Sequence, residues 1–170
     1  MLTLRELAMG DSPAIRRIYS GASVRFTHGH GYEMTDEGAC RRVAKALESA
    51  RTIPRPRWDF GIVVVGDVIG MISLRVREPG LGTLSYILRE DCWGNGYATQ
   101  AAKRVVDFAF AHTGLKCLAA KHHPANLASG RVLAKAGFTC LGISDLHAED
   151  GVVSPCPVYE IRRPAARRMP

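Results

Sequence analysis

A chain of 170 residues with ordinary globular composition can bury a real core in one domain, and its formal charge of +7 favours an anionic ligand or partner. The longest apolar runs, GIVVVG (61–66) and VVDFAFA (105–111), fall far short of the ~20 residues a membrane span needs. The opening MLTLRELAMGD meets charge too early for a secretory signal, so a cytoplasmic protein is expected. Its five cysteines lack CxxC spacing and read as reduced thiols, not a disulfide framework or zinc cluster.

LTLREL (2–7) reads as a first strand, and SPAIRRIYSGA (12–22) as a helix capped by Ser12 with Pro13 at its first position. RFTHGHGYE (25–33) loses periodicity at Gly29 and Gly31 and is expected to be a loop. MTDEGACRRVAKALESA (34–50) resumes helical spacing through Ala39, Val43, Ala46, Leu47 and Ala50, with Thr35 or Asp36 as cap. Pro54 and Pro56 end it. DFGIVVVGDVIGMISLRVRE (59–78) predicts two strands around a Gly66-Asp67 hairpin. Gly80 and Gly82 flank a further turn before TLSYILRE (83–90).

WGNGYATQ (93–100) then leads into a helix with Ala98, Ala101, Ala102, Val105, Val106 and Ala109 on one stripe. KCLAAKHH (116–123) is a strand. NLASGRVLAKAG (126–137) is a helix capped by Asn126 and stopped by Gly137, and FTCLGIS (138–144) and SPCPVYEIRR (154–163) supply the last strands. The order describes an α+β fold on a mixed sheet, one domain over 1–163 with a basic tail at 164–170.

Gly94 and Gly96 at a helix entrance ask what approaches this backbone. Strand, glycine turn and helix N-terminus are the arrangement that binds phosphate, because the first N–H groups have no partner inside the helix and the macrodipole adds positive charge; two glycines alone fit a purely structural turn equally well. The letters fit neither GxxxxGK[ST] nor GxGxxG, since Ala98 and Thr99 follow GNGY.

WGNGYATQAA together with HPANLASGRVLAKAGF (123–138) resembles the GNAT superfamily of acyl-CoA-dependent N-acetyltransferases, and within it the RimJ/RimL branch that acetylates ribosomal-protein N-termini. The resemblance implies a mostly antiparallel sheet of six to seven strands with about four helices. It also implies acetyl-CoA as co-substrate and a monomer or homodimer; His28, His30, His122 and His123 have no acidic or cysteine partner to complete a tetrahedral set, so no metal is expected. Trp93, Gly94, Asn95, Gly96, Tyr97 and Ala98 match the family's [QR]xxGx[GA] phosphate loop, with Trp93 where Gln or Arg is usual. Main-chain N–H groups from Gly94 to Thr99 are then expected to hold pyrophosphate. Asn126 takes the place of the asparagine that contacts the pantetheine arm. Ser129 takes that of a serine able to steady the thioester sulfur or protonate the thiolate, and a main-chain N–H at Ile87 or Leu88 is expected to meet the oxyanion.

Leu133 stands where many members carry a tyrosine acid, and Thr83, Leu84, Ser85 and Tyr86 where a strand glutamate base is common. The base is therefore sought in His123 beside the cofactor channel, or in His28, His30, Glu33 or Asp36 in the loop over the acceptor. His28, His30, Glu33 and Tyr86 are expected to line the acceptor pocket, and Glu33, Asp36 and Glu37 are able to make it acidic. His122 and His123 should point to opposite faces of a strand. Three functions stay open: a protein N-terminal acetyltransferase with a possible ribosome contact, an acetyltransferase for a small amine such as an aminosugar, polyamine or amino acid, and a non-catalytic CoA-binding module.

Overall fold

The computed structural model describes residues 1–27, 31–147 and 153–165. Seven strands form one sheet: β1 (Leu2–Glu6), β2 (Arg57–Val64), β3 (Asp67–Glu78), β4 (Leu81–Leu88), β5 (Cys117–Lys121), β6 (Thr139–His147) and β7 (Val153–Arg162), in the spatial order β1-β2-β3-β4-β5-β7-β6. Only β4 and β5 run parallel. Four α-helices accompany them: α1 (Ser12–Ile18), α2 (Asp36–Arg51), α3 (Tyr97–His112) and α4 (Leu127–Lys135). No described helix is long and apolar enough to cross a membrane.

Alternation along the strands sorts the core into two layers. Ile62, Ile72, Leu74, Leu84 and Leu118 meet the alanine–valine stripe of α3 and Leu133 of α4 on one face. On the other, Val63, Val68, Met71 and Ile87 meet Ile15 and Ile18 of α1 and Ala39, Val43 and Ala46 of α2. The small residues of α3 let that helix lie close over the sheet, which brings its N-terminus to the end of β4.

Local signals act as expected at two caps: Thr35 Oγ1 accepts the Gly38 N–H at 3.0 Å, and Asn126 Oδ1 accepts that of Ser129 at 3.2 Å. Three turns differ from the sequence reading. Helix α1 already includes Ser12, whose hydroxyl donates back to Met9 O at 3.1 Å. Asp11 stands at its boundary, its carboxylate holding Arg5 at 2.7 and 2.8 Å and the Ala8 N–H at 2.7 Å. The first hairpin turns at Val65-Gly66, one residue earlier than Gly66-Asp67. Both have positive φ (50° and 80°), the type I′ geometry that matches strand twist. Gly82 lies inside β4 opposite Val76, where a Cβ would meet Leu115 Cδ1 at 2.8 Å, so close packing and not a turn demands glycine there.

The parallel ladder between β4 and β5 covers only Leu81–Thr83 against Cys117–Ala119. Beyond it β4 runs on to Leu88 while β5 ends at Lys121, and the two strands part. Gly70 of β3 supports β4 just there: a Cβ would stand 2.7 Å from Ile87 O and collide with the Leu88 side chain. Gly70→Ala is expected to cost about 1–3 kcal/mol of stability, the usual penalty for overpacking. Urea denaturation measures it, and an unchanged midpoint would show that β4 is free to shift.

Candidate active site

The parting of β4 and β5 opens a cleft of about 1900 Å³ that crosses the sheet from the α3/α4 face to the α1/α2 face. Single-ligand pockets are typically about 300–1,000 Å³, so the space suits two substrates.

On the α3 side, Gly94 (φ 80°) and Gly96 (φ 74°) hold the turn in the left-handed region, and Gly96 occupies the N-cap position of α3. No side chain caps this helix. Its ladder starts with Gln100 N–H to Gly96 O at 3.1 Å, which leaves the N–H groups of Tyr97, Ala98 and Thr99 to an outside acceptor. A Cβ on Gly94 or Gly96 would meet nothing of the protein within 4 Å, so neither glycine relieves a clash inside the fold. Asn95 serves the turn itself, its amide donating to Cys92 O at 3.2 Å and Trp93 O at 3.1 Å. Trp93 is fixed by Nε1–H to Leu88 O at 3.0 Å and forms a half-exposed wall.

Main-chain direction separates the two expected oxyanion donors. Arg89 N–H donates to Ile69 O at 2.8 Å, toward β3. By the alternation of a strand, Ile87 N–H turns to that same side, and Leu88 N–H faces the opening. Leu88 is therefore the donor available to a carbonyl in the cleft. Ile87 contributes a buried side chain to its wall instead.

Asn126 and Ser129 project from the start of α4 into the same cleft. Ser129 Oγ lies 2.8 Å from Tyr86 Oη, which also donates to Ser129 O at 3.0 Å. Burial pushes the Tyr86 phenol up to about 12, against the opposing effect of the Ser129 hydrogen bond. Tyr86, expected at the acceptor pocket, thus lies on the α4 side of the opening, coupled to Ser129. Leu133 is fully buried in the core, consistent with its exclusion as an acid.

His122 and His123 follow the end of β5 and lie outside the strand, one buried and one exposed. His122 Nδ1–H donates to His123 O at 2.8 Å. His123 Nδ1 accepts the Ala125 N–H at 3.1 Å, and its ring stands 5.3 Å from that of Phe26 at the cleft wall. His28 and His30 lie outside the described residues. Glu33 is engaged elsewhere: its carboxylate accepts the Gly21 N–H at 2.8 Å. Asp36 pairs with Arg16 at 3.2 Å and Glu37 with Arg41 at 2.7 Å, so none of the three acids makes the acceptor pocket acidic. Among the described residues the cleft is lined by no carboxylate at all.

Comparison with known proteins gives the family and the fold. The family model for the acetyltransferase (GNAT) domain matches residues 1–139. The "Probable N-acetyltransferase YjcK" of Bacillus subtilis is 36% identical over 115 residues, a match covering 65% of this chain and 62% of that protein. Among solved structures, the Microcin C7 self-immunity acetyltransferase MccE, in complex with acetyl-CoA and AMP, superposes with a TM-score of 0.82 at 15% identity, covering 95% of this chain and 92% of that one. Mycobacterium smegmatis RimJ, in complex with CoA-disulfide, gives 0.81 at 21% identity, covering 95% and 81%. The chain belongs to the GNAT family of acetyl-CoA-dependent N-acetyltransferases.

Gly96→Val is expected to weaken CoA binding at least thirtyfold, because a branched side chain both occupies the approach to the N–H groups and resists positive φ. Lys103→Ala, on an exposed face of α3, should change it by less than twofold. Isothermal titration of the two variants checks the pair. Native affinity in a folded Gly96→Val protein would move the cradle elsewhere.

Proposed function

We propose that the protein acetylates the α-amine at the N-terminus of a polypeptide, by direct transfer from acetyl-CoA. The observation that carries the reading is the single cleft joining the uncapped start of α3, the free Leu88 N–H and the Ser129–Tyr86 pair to an opposite face whose described lining residues include no carboxylate. A RimJ/RimL-type acceptor belongs to this reading on the strength of the cleft, since the fold is shared alike with RimJ and MccE.

In this reading Tyr97, Ala98 and Thr99 N–H groups hold the pyrophosphate and Asn126 steadies the pantetheine arm. Leu88 N–H receives the thioester oxygen, which gains charge as the amine attacks; a donor aimed at developing charge is the strongest single aid to acyl transfer. Ser129 Oγ–H meets the departing sulfur, and Tyr86 stands behind it as a neutral phenol able to replace the proton. His123, exposed at the rim, passes the amine proton to water. Orientation of two bound substrates supplies most of the acceleration. An α-amine titrates near ~8, whereas a lysine near ~10.4 needs a stronger base than the described walls offer. A polycationic aminosugar is disfavoured for a related reason, since the described walls of the cleft hold no carboxylate.

Ser129→Ala and His123→Ala are each expected to lower kcat by about 10-fold, below the 10²–10⁴ that a dedicated acid or base contributes. Steady-state thiol release from acetyl-CoA with an N-terminal peptide measures both. kcat/KM should rise with pH through the amine's own pKa. Tyr86, protonated up to about 12, should add no limb in the usual assay range. A loss beyond a thousandfold in either variant, with the fold intact, would falsify the shared-burden mechanism.

A further inference from the structure

The α1/α2 face of the cleft concentrates positive charge beyond anything the fold requires. Arg57 and Arg75 are partners across β2 and β3. Arg57 forms a buried ion pair with Asp59 at 2.5 Å, and Ser73 bonds both, donating to the Asp59 carboxylate and accepting from Arg57 at 3.3 Å. That one acid is thereby committed to Arg57. Among the described residues Arg75 has no ion-pair partner, and its buried Nε–H has no acceptor. Arg42 of α2 lies with its guanidinium 4.7 Å from the centre of the Tyr19 ring, its own Nε–H equally buried and unpartnered. Arg77 and Lys121 stand farther along the same face, Arg77 anchored by Nε–H to Thr83 Oγ1 at 3.1 Å.

Arg42, Arg75, Arg77 and Lys121 therefore share one wall with no carboxylate among its described residues. The crowding registers on the groups themselves. Burial, then the like charges of Arg57 and Arg77 and, more weakly, Arg42, pulls the Arg75 guanidinium below its ordinary value against the opposing charge of Asp59; burial, with Arg77 adding to it and Cys156 opposing, does the same to Lys121. Like charges held together and partly desolvated destabilise a fold unless an anion joins them. The cofactor's phosphates do not reach them, because the α3 turn lies on the opposite face of the sheet.

We propose that the acceptor carries an anionic group, a carboxylate or a phosphate, some distance from its amine, and that Arg75 and Arg42 receive it with Arg77 and Lys121 at the rim. The spacing follows from the strand register. Arg75 is opposite Thr83, which lies one inward-facing step from Ser85 and two from Ile87, or about 7 and 14 Å along β4 at ~3.4 Å per residue. A free α-amino acid is too short to bridge that gap. An acidic side chain at the second or third position of a peptide spans it, and so does the phosphate of a longer amine. The proposal deepens the N-acetyltransferase reading and rests on it.

The test compares matched acceptors on the full chain. One arm uses peptides that differ only at positions two and three, Glu-Glu against Gln-Gln and Lys-Lys. The other uses a six-carbon aminoalkyl phosphate against its amino alcohol. In at least one arm the acidic member should have kcat/KM higher by tenfold or more, and that arm names the source of the anion. The preference should shrink to within twofold in Arg75→Gln and survive in Arg75→Lys, with the acetyl-CoA affinity of both unchanged. Lys121→Gln, an exposed position, repeats the test should Arg75→Gln not fold, and should reduce the preference by about threefold. Equal or lower kcat/KM for the acidic members of both arms overturns the proposal and leaves acetyl transfer standing. Binding of the N-acetylated peptides, read by thermal shift, needs no catalysis. An acidic preference there without turnover supports the anion site and counts against the N-acetyltransferase reading of the acceptor.

Discussion

Two parallel strands that stop pairing in the middle of a sheet set the terms for everything else. β4 and β5 hold together over only three residue pairs, and past Thr83 the main-chain groups of β4 that faced β5 have lost their neighbour. Backbone donors and acceptors inside a protein normally find partners. Here the open edge is flanked rather than filled: β3 pairs with β4 as far as Leu88 on one side, and β7 pairs with β5 as far as Lys121 on the other. Leu88 N–H belongs to that edge.

The gap also decides which parts of the sequence meet. α3 starts where β4 ends, so its uncapped N-terminus lies at one mouth, and α4 starts where the chain leaves β5, so Asn126 and Ser129 face the other wall. Tyr86 reaches across from β4 to Ser129 and links the two walls by a hydrogen bond. The α1/α2 face closes the far side with a different chemistry, arginine and lysine in place of glycine and amide. One cleft thus holds two electrostatic environments: unpaired main-chain N–H groups at the start of α3 on one face, full positive charges on the other.

The comparison of local signals with the folded chain divides along the range of the forces involved. Thr35, Asn126 and Gly137 act within one turn of helix, and their roles are readable in the letters because the atoms they serve are three or four residues away. Gly94 and Gly96 are legible for a similar reason, as a turn followed directly by an apolar stripe. The Gly66-Asp67 hairpin moved by one residue because pairing across β2 and β3 fixes the register, and Asp67 instead reaches Arg89 at 2.8 Å, a neighbour twenty-two positions away. Glu33 was a plausible substrate ligand by position, yet a carboxylate near a free N–H caps it, and Gly21 supplied that N–H.

What the sequence carried alone is a set of contiguous patterns: a glycine turn at a helix entrance, an asparagine block one strand later, and a strand without a carboxylate. Together they resemble the GNAT family, and they are legible before folding because each lies within a few residues of chain. Tertiary structure decided which side chains cooperate. The Tyr86–Ser129 bond spans 43 residues, and Arg42, Arg57 and Arg75 come from a helix and two strands with nothing in their spacing to join them. Sheet register places Arg57 beside Arg75, and helix packing lays Arg42 over Tyr19. Charge counted along the chain gives only an excess of +7; its concentration on one wall of a cleft exists only once the sheet has formed.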